Sequence, residues 1–127
     1  MMTFENMKIN DILNSDSYSK KSLLESLMKR ITKLTCEITE EIKDDSVKYY
    51  VKNMEFAKLV PEEDYVQVII ELPYDRIIDL AHKCDVNYFN GRDGVDIVSF
   101  NVCGNVDVEY GVSIAKQSFT YRKRLKL

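Results

Sequence analysis

A chain of 127 residues, 45% apolar and 31% charged, is sized for one globular domain and not two, and is long enough to bury a core without staples. A net charge of −3 excludes a broadly basic coat for nucleic acid, and three widely spaced cysteines, Cys36, Cys84 and Cys103, exclude a dense disulfide framework. Short apolar runs leave no membrane span, and MMTFENMKINDILNSD lacks the basic-then-apolar pattern of a signal peptide, so a reducing cytoplasm is the expected setting.

Residues 1–18 carry Phe4, Met7, Ile9, Ile12 and Leu13, too apolar a set for a free tail. They are expected to form an arm or short helix packed on a single domain of residues 19–127. From about Ser19 to Asp44, Leu24, Leu27, Met28, Ile31, Leu34, Thr35, Ile38 and Ile42 recur at spacings of three and four. That pattern predicts one long amphipathic helix, with Lys29, Lys33, Glu37, Glu40 and Glu41 opposite. Ser22 and Glu25 fit a capping box near its start. The apolar stripe suits the cover of a small sheet better than the seam of a homodimer, the other use open to it.

The period then shortens to that of strands. Val66, Val68, Ile70 and Leu72 alternate with Gln67, Ile69 and Glu71, while Met54, Phe56 and Val60 alternate with Glu55 and Leu59. Asn53 marks a tight turn and Pro61-Glu62-Glu63-Asp64 a hairpin loop, which predicts antiparallel strands over about 47–52, 54–60 and 65–72. Pro73 stops the third strand, and Ile77, Ile78, Leu80 and Ala81 predict a short helix over 74–83. Residues 87–94 read as a loop, and Val98, Phe100 and Val102 as a fourth strand. After a turn at Gly104-Asn105, Asp107 is placed to cap a closing helix. The stripe of that helix is Val108, Val112, Ala115 and Phe119, flanked by Tyr110, Ile114 and Tyr121. The fold class expected is α+β: an antiparallel sheet of four to five strands packed against a long N-terminal helix and a C-terminal helix.

Three fragments occur in a telling order: FAKLVP (56–61), LPYDRIIDL (72–80) and DVEYGVSIAKQSFTY (107–121). Over residues 20–121 the chain resembles the family called domain of unknown function 5655. It departs from that family in the loop before the last strand, where relatives often carry a tryptophan beside glycine and this chain has Tyr88-Phe89-Asn90-Gly91. The resemblance implies no catalytic residues. It implies a small module often attached to larger proteins, some with nuclease-like domains of restriction or defence systems. Its layout is distantly similar to helix-and-hairpin domains suspected of binding DNA.

Searching for chemistry gives little. His82, the one histidine, has no nucleophile that sequence can place beside it and reads as a surface or helix-end residue. No Cys-x-x-Cys pair exists to hold zinc, so Cys36 and Cys103 are expected in the core. Asp85, Asn87, Asp93 and Asp96 are spaced loosely like calcium ligands, but Phe89 and Gly91 fall at the wrong steps. Gly91 and Gly94 lack the Lys-Ser/Thr and the helix of a phosphate loop. No metal or cofactor is therefore expected, and the acidic runs read as solvated faces and not as a catalytic pair.

Three surfaces remain as candidates. Glu37, Glu40, Glu41, Asp44, Glu62, Glu63 and Asp64 form an acidic set suited to a basic protein partner. Tyr121, Arg122, Lys123, Arg124 and Lys126 combine charge with an aromatic ring, as single-stranded nucleic acid requires, although basic residues at a helix end also match its dipole. Tyr88, Phe89, Asn90 and Arg92 offer a loop for a small molecule or nucleotide. The leading expectation is a non-catalytic binding module, a stand-alone adaptor or inhibitor acting on a protein of nucleic-acid-processing or defence machinery. Nucleic-acid binding through the tail and small-molecule binding at the loop are the alternatives.

Overall fold

The structure, a computed structural model, describes residues 8–14, 18–43 and 45–124. It opens with α1 (Ile9–Leu13) and α2 (Lys21–Thr32). Strands β1 (Thr39–Ile42), β2 (Val47–Val51), β3 (Met54–Pro61) and β4 (Val66–Glu71) follow, then β5 (Asp85–Asn87), β6 (Ile97–Val102) and α3 (Val108–Arg124). Among the described residues the strands form one open antiparallel sheet in the order β1-β2-β3-β4-β6-β5. The class is α+β as expected, but the sheet has six strands, two of them unforeseen.

One unforeseen strand comes from the end of the predicted long helix. The helix stops at Thr32, whose Oγ1 donates back to Met28 O (2.9 Å) and Lys29 O (3.0 Å). Thr32, Thr35, Ile38 and Thr39 are β-branched and weak in a helix, so the helical spacing of Ile38 and Ile42 is outweighed by pairing with β2. There Thr39 faces Tyr50 and Glu40 faces Tyr49 across the ladder. The expected capping box is absent too: α2 starts at Lys21 and its N-cap, Lys20, makes no side-chain cap bond. What the stripe did foretell is the buried face, since Leu24, Leu27 and Ile31 are fully buried. Each such side chain contributes about 2 kcal/mol relative to exposure.

The three central strands follow prediction closely. Lys52 and Asn53 both adopt positive φ, 51° and 64°, the twist that a two-residue hairpin needs. The alternation in β3 is broken, however. Tyr49 pairs Ala57 and Tyr50 pairs Glu55, which leaves Phe56 as a bulge. Phe56 and Ala57 are consequently both buried, and Leu59, not Val60, points to the core. The Ser118 hydroxyl of α3 satisfies the carbonyl of Phe56, and Phe119 meets the Phe56 ring edge-on at 5.4 Å.

Helix α3 packs on the sheet whose buried residues include Val47, Tyr49, Leu59, Val68, Ile70, Phe100 and Val102, and α2 packs against α3 with its buried face in the same core. Gly111 lets α3 approach closely, because a Cβ there would lie 3.0 Å from Val102 Cγ2. Ile9 and Ile12 of α1 are fully buried in the same core, as the apolar N-terminal segment suggests; Phe4 and Met7 lie outside the described residues. Cys36 and Cys103 are exposed instead of core, Cys36 in the turn after α2 and Cys103 just past β6.

The predicted helix over 74–83 is replaced by a single 3-10 turn, Tyr74–Arg76, and an irregular connection. Asp79 is the cause. Its carboxylate is buried and draws the chain around itself. It accepts from the hydroxyls of Tyr74 (2.8 Å) and Tyr110 and from the N–H groups of Lys83 (3.0 Å) and Cys84 (3.2 Å). A helix would carry these donors away from it.

Candidate binding groove

Asp79 sets the wall of a groove. By gathering the backbone of residues 82–84 and two tyrosines, it turns the side chains of Ile78 and Leu80 outward, 66% and 86% exposed. Gln117 of α3 fixes Ile78 from the other side: its Oε1 accepts from Ile78 N (2.6 Å) and its Nε2 donates to Ile78 O (3.2 Å). Both polar groups of one backbone residue are thus held by a single amide, in the manner of a strand neighbour.

Between this wall and α3 lies an open groove of ≈ 580 Å³ lined by Arg76, Ile78, Gln117, Thr120, Tyr121 and Arg124. It continues into a smaller recess formed with Leu80, Tyr110 and Ser113. The size is that of ordinary ligand sites. Among the described residues no carboxylate lies within salt-bridge distance of Arg76 or Arg124. Arg30, Lys43, Lys48, Arg92 and Lys123 each have one. Behind the groove Arg122 is half-buried, with one guanidinium nitrogen donating to Glu71 O. Its Nε has no partner among the described residues. Burial, and then the charge of Arg92, pull its pKa down. Arginine stays charged regardless, so it adds to the positive potential of the site.

The expected tail is therefore divided by the fold. Arg122 is committed to the end of β4, stacked at 5.5 Å over Tyr121. Lys123 pairs with Glu37 at 3.0 Å, and its carbonyl accepts from Lys52. Tyr121 and Arg124 face the groove. Lys126 lies outside the described residues.

The acidic set is divided as well. Glu40 accepts from Tyr49 OH at 2.7 Å and Glu41 from Tyr50 OH at 3.0 Å, so both brace the β1–β2 pair; Glu41 also meets Lys43 at 3.6 Å. Glu37 precedes β1, at the end where β2 turns into β3, whereas Glu62, Glu63 and Asp64 sit in the turn at the opposite end of that ladder. Asp44 lies outside the described residues.

The loop candidates stay together at the sheet edge. Tyr88 and Phe89 are 56% and 78% exposed, with ring centroids 6.2 Å apart. Asn90 bonds Asn87, and Arg92 is tied to Glu71 by its backbone N–H (2.8 Å) and Nε (3.1 Å). Asp96 holds the loop itself: it accepts from Phe89 N (3.0 Å) and Tyr74 N (2.8 Å). Among the described residues no group of metal-binding side chains is clustered. His82 is exposed in the turn after Asp79, in keeping with its surface reading. No helix among the described residues is long and apolar enough to cross a membrane.

The residues that sequence reasoning missed are Arg76, Ile78, Leu80, Gln117 and Thr120. For Arg76, Ile78 and Leu80 the readable signal is the run of apolar residues around Asp79 in YDRIIDLAHKC, which suits a pinned loop as well as a helix; Gln117 and Thr120 have none. Comparison of the chain with protein-family models, with curated proteins and with solved structures finds no match.

Proposed function

We propose that the protein is a non-catalytic binding module whose groove takes an acidic, partly apolar segment of a protein partner. The carrying observation is the pairing, across the groove and its adjoining recess, of two arginines without carboxylate partners among the described residues and two exposed aliphatic side chains. Guanidinium groups suit carboxylates in forked geometry, and Ile78 and Leu80 supply the apolar contact that gives such a complex its strength. The body of the protein is acidic, so a site that attracts acids is a local departure from its overall field.

The shifted groups serve as parts of the groove wall. Burial pushes Asp79 up, but four hydrogen bonds outweigh it and hold the carboxyl at about 2. Burial and Asp79 together push Cys84, near the groove wall, up to about 12. Bonding to Asp79 and burial push Tyr74 and Tyr110 up to about 12. None of these is poised near neutrality, where a general acid or base works best. The resemblance to a domain often attached to nuclease-like and defence proteins suits an adaptor or inhibitor of that machinery.

Fluorescence anisotropy against a library of acidic-aliphatic peptides tests the reading, run beside single-stranded DNA and RNA. Micromolar peptide binding is expected, and the double variant Arg76→Glu/Arg124→Glu is expected to weaken it at least about tenfold, or about 1.4 kcal/mol. Peptide binding that ignores the two arginines, or binding confined to nucleic acid, overturns it.

A further inference from the structure

Four of the six large hydrophobic side chains exposed among the described residues, Ile78, Leu80, Tyr88 and Phe89, lie within one stretch of chain. Such concentration marks an interaction surface. The stretch has two poles. At the groove, Ile78 and Leu80 accompany the unpaired Arg76 and Arg124. At the loop, Tyr88 and Phe89 stand between Asp85 and Asp93, neither of which has an ion pair among the described residues. The local cation, Arg92, is already held by Glu71 (3.1 Å) and Glu55 (3.9 Å).

The two poles are neighbours in the fold. Glu71 joins them: its carbonyl accepts from Arg122 of α3, and its carboxylate holds Arg92 of the loop. Three residues on, Tyr74 N donates to Asp96, which also fixes Phe89. Gly91 N donates to Val95 O at 2.7 Å, and a Cβ on Gly91 would lie 2.9 Å from Glu71 Oε1, so the loop is clamped on the sheet. Phe89 is held at φ 62°, an unusual conformation for a bulky residue, with its ring still turned to solvent.

We infer that a second copy of this chain occupies the groove, the acidic aromatic loop of each protomer entering the groove of its partner about a two-fold axis. An isologous interface requires one patch that complements itself, and an acidic aromatic pole beside a basic aliphatic pole does so when rotated onto its copy. Rigid presentation of Tyr88 and Phe89 lowers the ordering cost of docking. The inference rests on the reading that this groove takes acidic, partly apolar segments, and it makes the protein's own loop one such segment. The dimer closes the groove, so an outside partner competes with it.

Sedimentation velocity over a concentration series of the full chain tests this, with two charge variants. Arg76→Glu/Arg124→Glu makes the groove acidic; Asp85→Lys/Asp93→Asn makes the loop basic, with asparagine retained where Asp93 has φ 59°. The wild type is expected to dimerise. Each variant alone is expected to raise the dimer dissociation constant at least about tenfold, and an equimolar mixture is expected to form a heterodimer, since both loop-groove contacts then become complementary. Phe89→Ser, which leaves the charges intact, is expected to weaken the wild-type dimer likewise. A wild type that stays monomeric throughout, variants that dimerise unchanged, or a mixture that stays monomeric overturns the proposal. If the wild type is monomeric while acidic peptides still bind the groove, self-association fails and the binding reading stands. If peptides also fail, both fall.

Discussion

The β1–β2 edge and the groove beside α3 carry charge in opposite ways. At the edge, carboxylates are dense, yet Glu40 and Glu41 are engaged by Tyr49 and Tyr50 and Glu37 by Lys123. At the groove the lining cations Arg76 and Arg124 have no neutralising carboxylate among the described residues. Charge available to a partner is thus a matter of pairing and not of density. Asp79 sharpens the contrast: a single buried carboxylate shapes the groove wall, whereas a run of exposed ones braces a strand edge.

The contrast is broken most severely at Asp79. Replacing it by alanine strands two tyrosine hydroxyls and two backbone N–H groups, and is expected to cost about 3 kcal/mol by urea denaturation. Groove-dependent peptide binding should fall with it, while Glu40 and Glu41 keep their partners. A loss under about 1 kcal/mol would show that the connection holds its shape without the carboxylate.

Acid does the same by titration. The Asp79 carboxyl lies at about 2 in the folded chain, below its ordinary 3.8. The stabilisation is complete above about pH 4 and is lost as pH falls from about 4 to about 2, with about 1–2 kcal/mol at stake. Melts across that range should show the decline in the wild type and a shallower one in Asp79→Asn.

At the strand edge the effects are smaller. Tyr49→Phe removes one hydrogen bond to Glu40 but keeps the buried ring against Phe56, so about 1 kcal/mol of stability should be lost. Glu37→Gln breaks only an exposed pair with Lys123 and should change stability by less than about 0.5 kcal/mol, the remaining effect vanishing in high salt. A larger loss there would mean that the acidic edge is more tightly integrated than its geometry implies.

Local periodicity is enough to place the α2 face from Leu24 to Ile31, the strands β2, β3, β4 and β6, the Lys52-Asn53 turn and α3, since each element reports its own buried side in its own spacing. It misleads where two spacings coexist, as at Ile38 and Ile42, and where a bulge shifts the phase, as at Phe56. The candidate site was legible only in part. In the sequence Tyr121 and Arg124 belong to a basic tail, and Tyr88 and Phe89 to a loop. The partners that decide what these residues do are far away in sequence: Glu71 for Arg92 and Arg122, Glu37 for Lys123, Gln117 for the wall carrying Ile78.

The sequence by itself determined an α+β chain with amphipathic helices and a central antiparallel hairpin set, because burial of alternating or three-and-four-spaced apolar residues is a local signal. Only the tertiary structure decided which charges remain unpaired and where apolar side chains stay exposed. That outcome depends on contacts between residues as far apart as Glu37 and Lys123, and on one carboxylate, Asp79, that joins its local donors Tyr74, Lys83 and Cys84 to Tyr110 of α3.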